Sequence, residues 1–207
     1  MHVVVCGADG ATGRHLVDQA RARGWEVTTV DAGAGRAAIR PTAPGTGARD
    51  ADVVAGAVRD AVAVLSVVGE RSDDGTTLYS DCARAFVRAL SGVRCRLVFC
   101  TGAGVGEPPP PDPWIRDHIA GPVRHYPGHD DMARAEDLLR GSDLDWVVVR
   151  PGRLHDRPAL GAVEASDAFR PELGTSLARA DLARFMLDQV VHDDWLRRTA
   201  TLGSPWD

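Results

Sequence analysis

The chain has 207 residues, long enough to bury a substantial core and short enough that a single domain spanning 1–207 is expected. A formal charge of −5 argues against the clustered positive surface that nucleic acid would need, and no apolar run approaches the roughly 18 residues of a membrane span. No basic stretch followed by an apolar one opens the chain, so a cytoplasmic protein with no nucleic-acid or membrane partner is expected.

All 24 basic side chains counted as Lys or Arg are Arg. Schiff-base, lysine general-base and lysine–ribose roles are therefore closed, because arginine stays protonated. The four cysteines, Cys6, Cys82, Cys95 and Cys100, lack C-x-x-C spacing and sit in apolar contexts, which reads as reduced core thiols.

In chain order, an apolar strand over 2–6 runs into Gly7-Ala8-Asp9-Gly10-Ala11-Thr12-Gly13-Arg14, and an amphipathic helix follows over 12–23. Strand, glycine loop and helix in that order make a dinucleotide site: Gly7 for the tight turn, Gly10 for close approach of a pyrophosphate, Gly13 for helix packing on the strand. The helix N-terminus adds free N–H groups and partial positive charge. A strand over 26–30 then closes at Asp31, about twenty residues beyond the loop, where a carboxylate can accept from the adenosine ribose hydroxyls; a turn-capping aspartate is the plainer alternative. The Ala- and Gly-rich stretch 32–48 leaves room for a short strand at 37–40.

Helices are predicted over 51–58, 76–91, 129–140 and 179–191, and strands over 62–67, 96–100 and 145–149. Asp181 can serve the first turn of the last helix electrostatically. The alternation implies an α/β fold, a Rossmann-type doubly wound parallel sheet with helices on both faces. Pro108 to Pro111, after Gly102, Gly104 and Gly106, read as a long loop, either a rigid spacer or a lid. Substrate walls are expected from 102–128 and 152–175, at the C-terminal strand ends. Glu70 to Asp74 read as a solvated loop in preference to a substrate contact. The spacing of His125 and His129 hints at metal ligation, but Pro127-Gly128 breaks the helix it would need, and no metal is predicted.

Taken together, the glycine loop, Leu65-Ser66-Val67-Val68-Gly69, Leu97-Val98-Phe99-Cys100-Thr101-Gly102-Ala103, the Met132–Leu139 segment containing Ala135-Glu136, Arg150-Pro151-Gly152-Arg153 and Arg179-Ala180-Asp181 carry a resemblance. The chain resembles the atypical short-chain dehydrogenase/reductases, in their NAD(P)H-binding, NmrA-like branch that includes flavin reductase (biliverdin reductase B). The resemblance implies NAD or NADP as cofactor and a small-molecule substrate. It puts Gly7, Asp9, Gly10, Ala11, Thr12 and Gly13 around the pyrophosphate and Val68 and Gly69 beside a ribose. Thr101, Gly102, Pro151, Gly152 and Arg153 would surround the nicotinamide, with strand-end backbone holding the carboxamide. Arg14 would contact a phosphate or the adenine, or simply be solvated. The flavin reductases carry an arginine where this chain has Ala32, so Asp31 favours NAD, although Arg36 and Arg40 leave a route to a 2′-phosphate. The family's acidic residue after the third strand has only an approximate counterpart in Asp50.

Standard short-chain dehydrogenases use a Ser-Tyr-Lys relay. Alignment on Ala135-Glu136 puts Gly128 at the tyrosine and Met132 at the lysine, with Thr101 or Gly102 at the serine. Ordinary alcohol–ketone chemistry is thereby disfavoured, because no donor of suitable pKa occupies the required place. His129, Asp130, Thr101 and Tyr126 are the catalytic candidates, His129 foremost because imidazole titrates near neutrality, with His155 second and Trp114, Arg116, Asp117 and His118 as possible shapers of substrate entry. Three functions follow: an NAD(P)H-dependent reductase of a flavin, quinone or conjugated small molecule; a non-catalytic, dinucleotide-sensing regulator; or a non-redox isomerase, cyclase or lyase. A monomer or a homodimer is compatible with each.

Overall fold

Valine-rich runs of four to six residues, buried on both faces, form the centre of the protein. The structure, a computed structural model, describes residues 1–31, 47–69, 75–106, 128–168 and 176–204. Its strands are β1 (His2–Cys6), β2 (Glu26–Val30), β3 (Ala63–Ser66), β4 (Arg96–Cys100), β5 (Trp146–Pro151), β6 (Arg153–His155), β7 (Glu164–Ser166), β8 (Ser176–Ala178) and β9 (Thr199–Gly203). The helices are α1 (Ala11–Ala22), α2 (Ala51–Ala57), α3 (Leu78–Leu90), α4 (His129–Arg140) and α5 (Arg179–Asp188).

One seven-stranded sheet runs β2-β1-β3-β4-β5-β9-β7, and β6 pairs with β8 in a separate two-stranded ribbon. The chain leaves β1 toward β2 on one side and returns to β3 on the other, so the topological switch point lies between β1 and β3, where ligands of open α/β sheets bind. Alternate residues divide the core between two faces. Val4, Cys6, Val64, Leu97, Phe99 and Val148 pack under α2, α3 and α4, where Phe86 meets Phe99 edge to face at 6.0 Å. Val3, Val5, Leu65, Val98, Val147 and Val149 pack under α1 and α5. This two-sided burial explains why the central strands read as continuous apolar runs.

The expected Rossmann-type sheet is present, with two corrections. It is not wholly parallel, because β7 runs antiparallel to β9 at the edge. The last helix ends at Asp188 instead of 191, and four strands, β6 to β9, lie where none was predicted. These strands are three to five residues long and are recruited by neighbours already in place, as β9 is by β5. The strand expected at 37–40 lies outside the described residues. Asp181 does more than complement its helix: it is 1% exposed and accepts from the Leu160 and Gly161 N–H groups at 2.9 and 3.2 Å, tying the β6–β7 connection to α5.

All four cysteines are free and buried. Burial pushes the Cys82 and Cys100 thiols up to about 12 and Cys95 up to about 11, from an ordinary value of 9.0, and raises Cys6 well above that value. The folded state thus keeps protons that an unfolded chain releases above pH 9. Stability should be constant below that pH and fall above it, by about 1.4 kcal/mol per pH unit for each thiol ionised only in the unfolded chain, until the folded thiols themselves titrate. Urea unfolding between pH 8 and 11 measures this, and Ellman's reagent at pH 8 should find the thiols only after denaturation.

Candidate dinucleotide and acceptor site

The loop after β1 is shaped by contacts that only glycine permits. Gly7 has φ +82°, and a Cβ there would lie 2.9 Å from the Val67 carbonyl oxygen at the switch point. A Cβ at Gly13 would lie 2.1 Å from the Gly7 carbonyl oxygen and 2.6 Å from the Ala8 Cα, so α1 starts in direct backbone contact with the loop. Gly10 is exposed, caps α1 with an extended conformation, and has no side chain to occupy the helix N–H groups. Ala11 and Thr12 follow half-buried, and Asp9 is exposed.

Electrostatics separates α1 from the other helices. The first turns of α2, α3, α4 and α5 each contain an acidic residue, whereas that of α1 contains none. Asp50 caps α2 at 2.9 and 3.3 Å, so it is occupied as a helix cap. Asp131 reaches across from α4 to accept from the Tyr79 and Ser80 N–H groups of α3 at 2.8 and 3.2 Å. Among these five helices only α1 has no acidic residue in its first turn; Asp9 stands exposed in the loop ahead of it, and the free N–H groups of the turn fit the pyrophosphate of a dinucleotide. Arg14 braces this mouth by donating from Nη1 to the Asp9 carbonyl at 2.8 Å.

Asp31 follows β2 half-buried, its carbonyl accepting from the Ala48 N–H at 2.8 Å, beside the loop where an adenosine ribose would lie. Arg36 and Arg40 lie outside the described residues, as do Tyr126, His125, Trp114, Arg116, Asp117, His118, the 108–111 prolines and Glu70 to Asp74. Of the pair expected beside a ribose, Val68 is 4% exposed and belongs to the core, while Gly69 is exposed and open toward the Tyr79 hydroxyl.

At the other end of the site, the ends of β4 and β5 are locked to α4 by one carboxylate. Glu136 is fully buried. Its Oε1 accepts from Thr101 Oγ1 at 2.8 Å and Arg150 Nε at 2.9 Å; its Oε2 accepts from Arg150 Nη2 at 2.6 Å and Arg140 Nη2 at 2.9 Å. The Thr101 hydroxyl donates its one proton to the carboxylate, alongside the guanidinium donors, and that proton is committed there. Thr101 is therefore an acceptor toward any ligand.

Gly102, at the next position, leaves space at the strand end: a Cβ there would lie 3.9 Å from His129 Nε2 and 3.8 Å from Met132 Sδ. His129 is thus brought to the strand end where a hydride acceptor would sit, whereas Asp130 is exposed on the first turn of α4. Met132 is 6% exposed and packs in the core. The backbone expected to hold the carboxamide is already engaged, because the Pro151 carbonyl accepts from the Ala103 N–H at 2.9 Å and the Gly152 N–H donates to Leu202 at 3.1 Å. Arg153 is exposed and His155 half-buried on β6, one strand end further on.

A cavity of ≈ 410 Å³ opens at the opposite end of the sheet, lined by Arg140, Ser142, Trp146, Arg197, Arg198 and Thr199. It lies at the N-terminal ends of β5 and β9, away from the glycine loop, and Arg198 within it is held by Asp167 at 2.7 and 2.8 Å. Among the described residues, no group of three or more His, Cys, Asp or Glu is placed to hold a metal.

Arg150 stands out in the sequence as a charge at the end of the apolar run Trp146–Val149, and a buried charge must pair; Glu136 lies in a helix rich in charge and carries no such signal. Replacing Glu136 with Ala should cost about 3–5 kcal/mol in urea unfolding by leaving Arg150 buried and uncompensated, and Thr101→Val about 1 kcal/mol by removing one hydrogen bond to the carboxylate.

Solved structures with this architecture include SP1627 from Streptococcus pneumoniae, described as a candidate NADH-flavin reductase, with TM-score 0.77 and 20% identity over 99% of each chain. ChuY from Escherichia coli O157:H7, described as an anaerobilin reductase, is similar at TM-score 0.69 and 20% identity, covering 100% of this chain and 98% of its own. A candidate NAD-dependent epimerase/dehydratase from Bacillus halodurans reaches TM-score 0.69 and 22% identity, over 99% of this chain and 94% of its own. At these identities the likeness is one of fold. Residues 7–193 match the NAD(P)H-binding family, a span from the first glycine of the loop to just past α5, and the chain belongs to that family.

Proposed function

We propose that this chain is an NAD(P)H-dependent reductase that passes hydride to a flavin, quinone or other conjugated small molecule. The observation that carries the reading is the pairing of a glycine loop and an α1 first turn without acidic residues with strand ends that have no Tyr-Lys relay. The similar structures described as flavin and anaerobilin reductases support the same class of acceptor.

When bound, the dinucleotide supplies the hydride. The protein's share is to bind, orient and protonate. Gly7, Gly10 and Gly13 bring backbone to the pyrophosphate, and the first N–H groups of α1 face its charge. Asp31 accepts from the adenosine ribose and repels a 2′-phosphate, which makes NAD(H) the preferred form. Reduction of an isolated carbonyl needs a proton placed on oxygen as hydride arrives; Gly128 and Met132 have no proton to give, and that of Thr101 is held by Glu136. A conjugated acceptor spreads the added charge and takes its proton from solvent or from His129, whose Nε2 lies against Gly102.

Titration with NADH and NADPH, followed by cofactor absorbance after addition of a flavin and a quinone, tests the reading. Oxidation with NADH preferred is the expected result; tight binding without oxidation would move the chain to a dinucleotide-sensing or non-redox role. Gly10→Ala, whose Cβ would press on the Gly7 carbonyl oxygen at 3.2 Å, should lower the thermal midpoint slightly and weaken NADH binding by about tenfold or more through the lost close approach. Asp31→Ala should shift preference toward NADPH by about tenfold, read as a ratio of dissociation constants. His129→Gln should leave the NADH dissociation constant unchanged and lower kcat by about tenfold or more if the imidazole supplies the proton.

A further inference from the structure

We propose that Arg150 and Thr201 form a carboxylate subsite, and that the small molecule reduced here is an anion. This rests on the reductase reading, which places the acceptor over the ends of β4 and β5. Arg150 meets Glu136 side-on, through Nε and Nη2, and its Nη1 has no hydrogen-bond partner among the described residues. Its side chain stays 11% exposed. Side-on pairing leaves the end-on edge, the Nη1 donors and the second N–H of Nη2, arranged for a planar group with two oxygens.

The carboxylates of Glu136 and Asp137 balance the guanidiniums of Arg140 and Arg150, so selectivity for a carboxylate guest comes from the open end-on edge of Arg150 and not from a surplus of charge. Thr201 stands directly beside Arg150 in the β5–β9 register, on the same face of the sheet at the roughly 5 Å spacing of adjacent strands. It is 4% exposed, and its Oγ1 has no hydrogen-bond partner. A hydroxyl is rarely left so, and an incoming carboxylate oxygen would accept its proton. Gly106, with φ +71°, lies beside this edge: a Cβ there would be 3.8 Å from Arg150 Nη2. The dinucleotide's own phosphates belong elsewhere, because β3 and β4 separate β1 and its glycine loop from β5.

The test is calorimetric titration of the full-length chain, with and without saturating NADH, using benzoate as probe and benzamide as its uncharged counterpart. Wild type should bind benzoate about tenfold or more tighter than benzamide, as an end-on charge-assisted pair predicts. Thr201→Val should weaken benzoate about three- to tenfold while keeping or raising the thermal midpoint, because the hydroxyl removed has no partner in the fold. Arg150→Lys, which keeps a cation on Glu136 but has no planar edge, should abolish the preference for benzoate. Equal binding of benzoate and benzamide by wild type, or unchanged benzoate binding by Thr201→Val, overturns the subsite. Absence of NADH binding or oxidation falls on the reductase reading instead, and the titration without NADH still decides the subsite.

Discussion

The carboxylate of Glu136 accepts four hydrogen bonds at zero exposure, and the C-terminal ends of β4 and β5 are organised around them. An ionised carboxylate cannot be left unpaired in a core, so burying it obliges Thr101 from the end of β4, Arg150 from β5 and Arg140 from α4 itself to converge. Their convergence sets where α4 begins relative to the strand ends, and α4 begins at His129. A single buried charge thus fixes the distance between the imidazole and Gly102 and settles the polarity of the Thr101 hydroxyl.

A related economy governs the helix termini. Asp50 and Asp131 accept from the first N–H groups of α2 and α3, and acidic residues stand in the first turns of α4 and α5. Each cancels part of a helix dipole at home. The α1 terminus is exempt, and it is the one at the switch point, behind a loop whose glycines give backbone unobstructed access. Among these helix termini, only that of α1 keeps its positive end uncompensated within its first turn, in a protein whose net charge is −5.

Much of this was legible in the chain. The central strands and the five helices follow from runs and periodicities that admit one structural meaning, and the glycine loop follows from its position between strand and helix. The Arg150-Pro151-Gly152 strand end and the Ala135-Glu136 helix were recognisable as motifs, but not as parts of one cluster, because side chains fourteen residues apart meet only through packing of α4 on the sheet. Asp131 read as an acid of its own helix and serves another, since α3 lies alongside α4. The strands β6 to β9 escaped because segments of three to five residues bury too little to show a period of their own; their pairing is dictated by the exposed edge of β5 and by β8 meeting β6.

What the sequence by itself determined is whatever short-range physics dictates: Rossmann-type alternation, the glycine loop, the absence of a Tyr-Lys relay and of any lysine. The tertiary structure alone decided which polar groups are spent and which remain for ligands. Thr101 and Glu136 are consumed by each other, the Gly152 N–H by Leu202, and Asp50 by its helix, whereas the outer edge of Arg150 and the Thr201 hydroxyl keep unused capacity. A hydrogen-bonding group is committed or open according to neighbours that packing brings from elsewhere in the chain, and linear spacing does not encode that accounting.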